Sequence, residues 1–424
     1  MCMSLKMQVD RPRILMFAPL CYPPASSEAI ATAKLLLAAL DAGWEIDVIS
    51  QSDFGQYYPT NINGVWEPLT RIVHNIDGIK KGGFFENVSH RAGLESFNSL
   101  QSISWARKAL FAALRLASKK KYDFILSRAT PQYGHLPALI LSRWSGLPWI
   151  ANWSDPIPPQ KALPPYGQGP HSAIPNYLKS YCSAVVRNAT WHTFPCERLR
   201  KYFCSYLPEC AEKSSVIPHI ALRRFRSQIQ NNNGFSFSHT GSLTLRDPCV
   251  FLEGVRLFSQ KARIERMFRI RFFGHGLGNL REMVKNLGLD NIISIEQGKT
   301  YEDTQQIIAN SSVLVVIEAP CQEGIFFPSK FVDFVQTGHP ILAVSPVNGT
   351  LTDILAANGG GIAADCLSPD AVEGAIETLY VAWKEGALVS RYGSSHLFNL
   401  FDENYVIGQY SEIFGQIRNK NGSH

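Results

Sequence analysis

Apolar runs of strand length alternate with helix-patterned segments twice along this chain, and that alternation restricts the fold more than any other feature. RILMFAP (13–19) is an apolar run closed by turn residues. SSEAIATAKLLLAALDAG (26–43) follows with a serine cap, helical spacing and a terminal glycine, and WEIDVIS (44–50) returns as a strand. Strand, crossover helix and strand make a βαβ unit, which implies a parallel sheet. YDFILSR (122–128), a helical PQYGHLPALILSRWSG (131–146), LPWIANW (147–153), TWHTF (190–194) and SSVIPHI (214–220) extend the series. Over ALRRFRSQIQNNNG (221–234) the composition turns polar and basic, the profile of an interdomain linker. A second series then runs through FSFSHTG (235–241), MFRIRFFG (267–274), NIISIE (291–296), SVLVVIE (312–318) and HPILAVS (339–345). The expectation is an α/β protein of two doubly wound domains, residues 1–220 and 221–399, facing each other across a cleft. Residues from about 400 to 424 are expected to pack back on the first domain. Ligands of such sheets sit beyond the carboxyl ends of the strands, so the cleft is the expected site.

Composition narrows the function classes. The chain has 424 residues, 45% hydrophobic and 18% charged, which excludes a disordered protein and exceeds one core. No apolar run reaches transmembrane length, since residues 134–151 are broken by His135, Pro137, Arg143, Gly146 and Pro148. No signal-peptide core opens the sequence, so the expected placement is cytoplasmic. Nine cysteines without a C-x-x-C pair do not form a disulfide framework; Cys182, Cys196, Cys204 and Cys210 read either as thiols or as a structural zinc site. Residues 1–220 hold 23 Lys/Arg against 15 Asp/Glu, while the remainder is slightly acidic, so the first half is expected to meet something anionic. The patternless stretch 51–100 carries Tyr57, Tyr58, Trp66, Lys80, Lys81, Phe84 and Phe85, which suits either a membrane contact, a lid over an acceptor or a surface insertion. The lysines form no helical stripe and no nucleic-acid module is present, so nucleic acid is not an expected partner.

Two segments carry residues suited to chemistry. In FSFSHTGSLTLRDP (235–248) a strand ends in Gly241 and Ser242, and Arg246 follows just before a helix. Glycine lets a backbone approach a ligand, and arginine forks two hydrogen bonds onto a phosphate. In FFPSKFVDFVQTGHPIL (326–342), Pro328 and Ser329 mark a helix start and Gly338 with Pro340 its stop. Unpaired N–H groups at that start attract anions, Lys330 adds a cation, and Asp333 one turn on can accept ribose hydroxyls. A plain surface ion pair between Lys330 and Asp333 is the alternative. On the other side of the cleft, His135 and Asp155 are candidates to orient or deprotonate an acceptor hydroxyl.

Taken in order, these segments resemble the GT-B glycosyltransferases, and within them retaining family 4. The resemblance spans RILMFAPLCYPPASSEAIATAKLLLAAL, DFILSRATPQYGHLPALILSRWSGLPWIANWSDP, SVIPHI, HTGSLTLR and PSKFVDFVQTGHPILAVS. It implies two Rossmann-like domains, with Gly241, Ser242, Arg246, Ser329 and Lys330 on the diphosphate of a nucleotide-sugar. Asp333 stands where the family has the glutamate that holds the ribose. The family's earlier glutamate is replaced by Ile325, which leaves Glu323 as the candidate for the sugar hydroxyls and Glu318 out of register. Ala25, Ser26 and Ser27 occupy the place of the glycine pair in the first loop.

The implied function is transfer of a hexose from a nucleotide-diphosphate sugar to a lipid-linked or polysaccharide acceptor, with retention, at the inner face of a membrane. The sequence has no Asp-x-Asp motif, so no metal or other cofactor is expected, and leaving-group charge falls to Arg246, Lys330 and helix N–H groups. The alternatives are a nucleotide-sugar epimerase and a catalytically silent relative that binds or scaffolds a transferase.

Overall fold

The sequence patterns become two parallel sheets because their strands are apolar on both sides and need helices on each face. The computed structural model describes residues 11–24, 26–52, 64–77, 100–227, 234–261 and 268–421. The first sheet contains β1 (Arg13–Phe17), β2 (Glu45–Gln51), β3 (Val73–Ile76), β4 (Phe124–Ala129), β5 (Trp149–Trp153), β6 (Trp191–Phe194) and β7 (Ser214–Val216), in the order β3-β2-β1-β4-β5-β6-β7. All its pairings are parallel, with Ile14 of β1 opposite Ile46 on one side and Phe124 on the other. The second contains β8 (Phe235–Thr240), β9 (Phe268–Gly274), β10 (Ile293–Gln297), β11 (Val313–Ile317), β13 (Ile341–Ser345) and β15 (Gly361–Asp365), in the order β10-β9-β8-β11-β13-β15, again all parallel. A two-strand ladder of β12 (Glu323–Gly324) and β14 (Asn348–Gly349) stands apart.

Alternation along β1 divides the first lobe. Leu15 and Phe17 face the helices Leu100–Ala117, His135–Ser145 and Asn176–Asn188, whereas Ile14 and Met16 face the helices Ser27–Asp41 and Glu403–Asn421. The Glu403–Asn421 helix seats Phe414 on Phe124 and on Trp44, with ring centroids 4.5 and 5.2 Å apart. The chain therefore leaves the first lobe near Ala221 and returns near Asp402, and these two passes pair as a β-bridge. The Ala221 amide donates to the Phe401 carbonyl at 2.8 Å, and Arg223 pairs with Asp402 at 2.9 Å.

The lobes also hold each other directly. Lys34 of the Ser27–Asp41 helix pairs with Asp333 of the Lys330–Thr337 helix at 2.7 Å, their side chains only 3% and 15% exposed. The Tyr301 hydroxyl donates to the same carboxylate oxygen at 2.6 Å. Trp66 is fully buried against Tyr301 and Phe225, so it is an interlobe wedge and not a membrane contact. Tyr57, Tyr58, Lys80, Lys81, Phe84 and Phe85 lie outside the described residues.

Two strands of the large sheets, and both strands of the small ladder, had no sequence signal. β3 is a four-residue edge strand with His74 and Asn75, and β15 reads GIAAD, too poor in β-branched and aromatic residues to stand out. Of the loose cysteine group, Cys182, Cys196 and Cys210 are buried and Cys204 is half-buried. Among the described residues no group of three or more His, Cys, Asp or Glu is placed to hold a metal ion. No helix among them is long and apolar enough to cross a membrane.

Candidate functional site between the lobes

The carboxyl ends of β8 and β9, the turn after β10, and the start of the Lys330–Thr337 helix form one wall of a cleft of about 240 Å³. The opposite wall comes from the first lobe, through Ser27, Glu28, Ser154, Asp155 and His219. Close packing of the strand ends explains the glycines. A Cβ on Gly274 would lie 2.2 Å from the Gly241 carbonyl oxygen, and Gly241 itself has φ +93°.

Arg246 reaches the cleft from a tight turn. Its amide donates to the Leu243 carbonyl at 2.8 Å, the Thr244 amide donates to Ser242 Oγ at 3.0 Å, and Leu245 takes φ +61°. A non-glycine residue in that region costs of order 1–3 kcal/mol, a strain that the turn tolerates while aiming the next side chain inward. Opposite it, the Lys330–Thr337 helix begins at Ser329 with no side-chain cap and ends at Gly338 in the left-handed conformation. The Phe331 amide donates to the Pro328 carbonyl at 3.0 Å, and no side chain caps the other amides of this helix start. Lys330 is half-buried and donates to the Thr240 carbonyl at 2.5 Å. Burial, and then the nearby Arg246 cation, hold its pKa well below the usual lysine value, against the pull of Asp333. Among the described residues neither Arg246 nor Lys330 has a carboxylate within ion-pair distance.

Two neighbouring cations without a carboxylate between them raise the energy of the empty cleft, and an anion relieves it. Glu318 at the end of β11 does not fill this role. It is buried, accepts from Ser345 Oγ at 2.5 Å, and is pushed up to about 7 by burial, with the Ser345 hydrogen bond and then Arg246 opposing. Tyr166, in the 156–172 loop of the first lobe, lies over Phe326 with ring centroids 4.2 Å apart and accepts from the Ala319 amide at 3.4 Å. That loop thus bridges the rim.

On the first-lobe wall, Asp155 opens onto the cleft and accepts from Thr130 Oγ1 at 2.5 Å. Loss of solvation inside the cleft raises its pKa, while the Thr130 hydrogen bond and then Arg246 oppose that shift. Glu28 pairs with Arg128 at 2.8 Å and accepts from Ser154 at 3.3 Å. His219 stacks on Phe327, ring planes 8° apart, and burial brings its pKa down to about 3, so it is neutral.

No protein-family model matches the sequence, and no curated protein sequence does either. Solved structures do match. Anabaena HepE, in complex with UDP and glucose, superposes with a TM-score of 0.67 at 13% identity, over 96% of this chain and 100% of that one. Sucrose-phosphate synthase from Thermosynechococcus elongatus gives 0.68 at 12% identity, over 96% and 100%. The fold is GT-B. A UDP-N-acetylglucosamine 2-epimerase shares it at a TM-score of 0.54 and 10% identity, over 96% of this chain and 94% of that one.

Within this GT-B frame, Gly241, Ser242, Arg246, Ser329, Lys330, Asp333 and Asp155 all line the one cleft. Two other residues singled out in the sequence do not. His135 is fully buried beneath the first sheet, where Nδ1 meets Ser127 Oγ at 2.7 Å and the ring packs on Trp153 at 4.3 Å. It shares its buried stripe with Ala138, Leu141 and Ser142, a helical spacing that points the ring into the core. Glu323 sits on the outer ladder, half exposed, with Arg198 Nη1 3.6 Å away; Arg198 also pairs with Asp353 at 2.6 Å. The Lys330–Asp333 surface pair is absent as well, because Asp333 is taken by Lys34. Glu28, Arg128, Lys34, Tyr301 and His219 went unnoticed in the sequence. Their partners lie far away along the chain, 100 residues for Glu28 and 299 for Lys34, so local pattern carries no sign of them.

Proposed function

We propose that this protein is a glycosyltransferase that takes a hexose from a nucleotide-diphosphate sugar and gives it to a lipid-linked or glycan acceptor. The observation that carries this reading is the pair Arg246 and Lys330, gathered in the interlobe cleft beside a helix start that has no side-chain cap, neither of them within ion-pair distance of a carboxylate among the described residues. A departing diphosphate carries the complementary charge, and donors fixed in place before the reaction stabilise it without reorganisation. Gly241, at φ +93° and without a Cβ, lets the backbone at the end of β8 approach the diphosphate oxygens closely. Asp333 Oδ1 is engaged by Lys34 and Tyr301, which leaves Oδ2 to accept one ribose hydroxyl. Asp155, with its raised pKa and its place on the facing wall, is the residue suited to orient or deprotonate the acceptor hydroxyl. Retention follows the family 4 resemblance, with attack on the face from which the diphosphate leaves.

The test is a panel of nucleotide-sugars, with released diphosphate read by mass. Arg246→Ala and Lys330→Ala should fold normally. A charged hydrogen bond contributes about 1.5–3 kcal/mol, so each should lose about 10–200-fold in rate. Wild-type turnover in both variants refutes the roles, and calorimetry without binding of any nucleotide points to a silent relative. The epimerase reading draws support from Glu28, Asp155 and His219 on the sugar-facing wall. It predicts a mass-neutral isomer of the donor, seen by NMR without acceptor, in place of a released diphosphate.

A further inference from the structure

We propose that the outer face of the first lobe, made by the helices Leu100–Ala117, His135–Ser145 and Asn176–Asn188, docks on an anionic lipid bilayer. These helices lie side by side on one side of the first sheet. They run for 18, 11 and 13 residues and contain no aspartate or glutamate. At the chain's frequency of 35 acids in 424 residues, about three would be expected. They carry Arg107, Lys108, Arg115, Arg143, Lys179 and Arg187. Among the described residues Arg107, Arg115, Arg143 and Lys179 have no carboxylate partner. Helices elsewhere differ: Pro369–Lys384 holds Asp370, Glu373 and Glu377.

The same face exposes large apolar side chains. Trp144 is 74% and Phe111 65% exposed, with Ile103 and Ile140 beside them. Along Leu100–Ala117 the exposed positions Ile103, Arg107, Phe111 and Arg115 recur every four residues, an outward stripe in which apolar and basic side chains alternate. Such a stripe suits the headgroup boundary, where rings and aliphatic chains enter the acyl edge while arginines remain with phosphates. Other occupants fit less well. A second copy would set arginine against arginine, and a nucleic acid would leave Phe111, Ile103 and Ile140 against water. Acids border the face at its edges, Asp77 beside Lys108 of the first helix and Glu209 and Glu212 on the turn beyond the third.

The position has a use. The His135–Ser145 helix follows β4 and starts at the carboxyl edge of the sheet, where the cleft opens. Arg143 and Trp144 lie at the other end of that helix, toward the amino edge of the sheet, so a bilayer on this face runs along the flank of the lobe and the cleft opens at one end of it. The proposal deepens the lipid-linked reading of the acceptor, but the face is tested independently of donor turnover.

The test is flotation of the full chain with phosphatidylcholine vesicles, with and without phosphatidylglycerol, at low and high salt. Trp144→Ala/Phe111→Ser should weaken recruitment about tenfold or more. Arg107→Gln/Arg115→Gln/Arg143→Gln should weaken it about fivefold per charge removed and flatten its salt dependence. Both variants should match wild type in thermal melting and in vesicle-free nucleotide-sugar hydrolysis. The expected result is wild-type recruitment to anionic vesicles alone, diminished by both sets of changes. Wild type staying unbound at low salt overturns the proposal. So does variant flotation equal to wild type, or a dimer or an RNA complex that the variants abolish in place of vesicle binding.

Discussion

Asp333→Asn tests whether the interlobe pair is a buried charge pair or a surface decoration. The asparagine keeps an acceptor for the Tyr301 hydroxyl, so the change removes charge and little else. It leaves the Lys34 ammonium buried without its carboxylate. The cost cannot exceed that of giving up the proton, which from an ordinary lysine pKa of about 10.4 is about 4.6 kcal/mol at pH 7 and about 2 kcal/mol at pH 9. Breaking buried pairs costs about 3–5 kcal/mol, so about 3–4 kcal/mol is expected at pH 7. Burial already lowers the Lys34 pKa, and Asp333 is the main group opposing that. A base whose folded pKa lies below its unfolded value binds fewer protons when folded, so stability rises with pH between the two. Removing Asp333 widens that window, and the penalty should shrink steadily from pH 7 to pH 9. Urea unfolding at both pH values reads it, and Lys34→Met combined with Asp333→Asn should recover most of the loss. A penalty below about 1 kcal/mol, or one equal at the two pH values, would sink the buried-pair account.

Further outcomes follow from the same cleft. Glu318 holds its proton to about pH 7, against 4.5 for the free side chain, so folding stability should fall as pH rises between these values. Glu318→Gln should match wild type near pH 5 and exceed it by up to about 3 kcal/mol at pH 8; parallel pH curves would contradict this. An anion beside Lys330 should raise its lowered pKa, so nucleotide-diphosphate binding should take up a proton and weaken as pH rises. Calorimetry in buffers of different ionisation enthalpy checks it, and identical apparent enthalpies would exclude it. Gly274→Ala forces a Cβ onto the Gly241 carbonyl, an overpacking worth about 1–3 kcal/mol, and an unchanged melting temperature would place those strand ends further apart.

The fold was legible wherever burial on both faces made a strand uniformly apolar, as in β1 and β11, or where caps framed a helix, as at Ser26 and Gly338. The second-lobe wall of the cleft was legible for a related reason: Arg246 and Lys330 sit at strand-to-helix junctions whose turn and cap residues mark their ends. The facing wall was not. Glu28, Ser154 and His219 converge through folding alone, and His135 read as an active residue because its type drew notice before its helical phase was followed. Glu323 misled in the same way, since proximity in sequence to the expected position says nothing about which side of a two-residue ladder a side chain takes.

The bridge between Ala221 and Asp402 brings together the points where the chain enters and leaves the second lobe. Everything between them is one continuous insert whose ends already touch. A lobe of this kind is exchangeable as a cassette: cutting at those two points and grafting in another GT-B segment needs no new linker to span a gap. Chimaeras built at this junction would then separate what each half contributes to the choice of ligands.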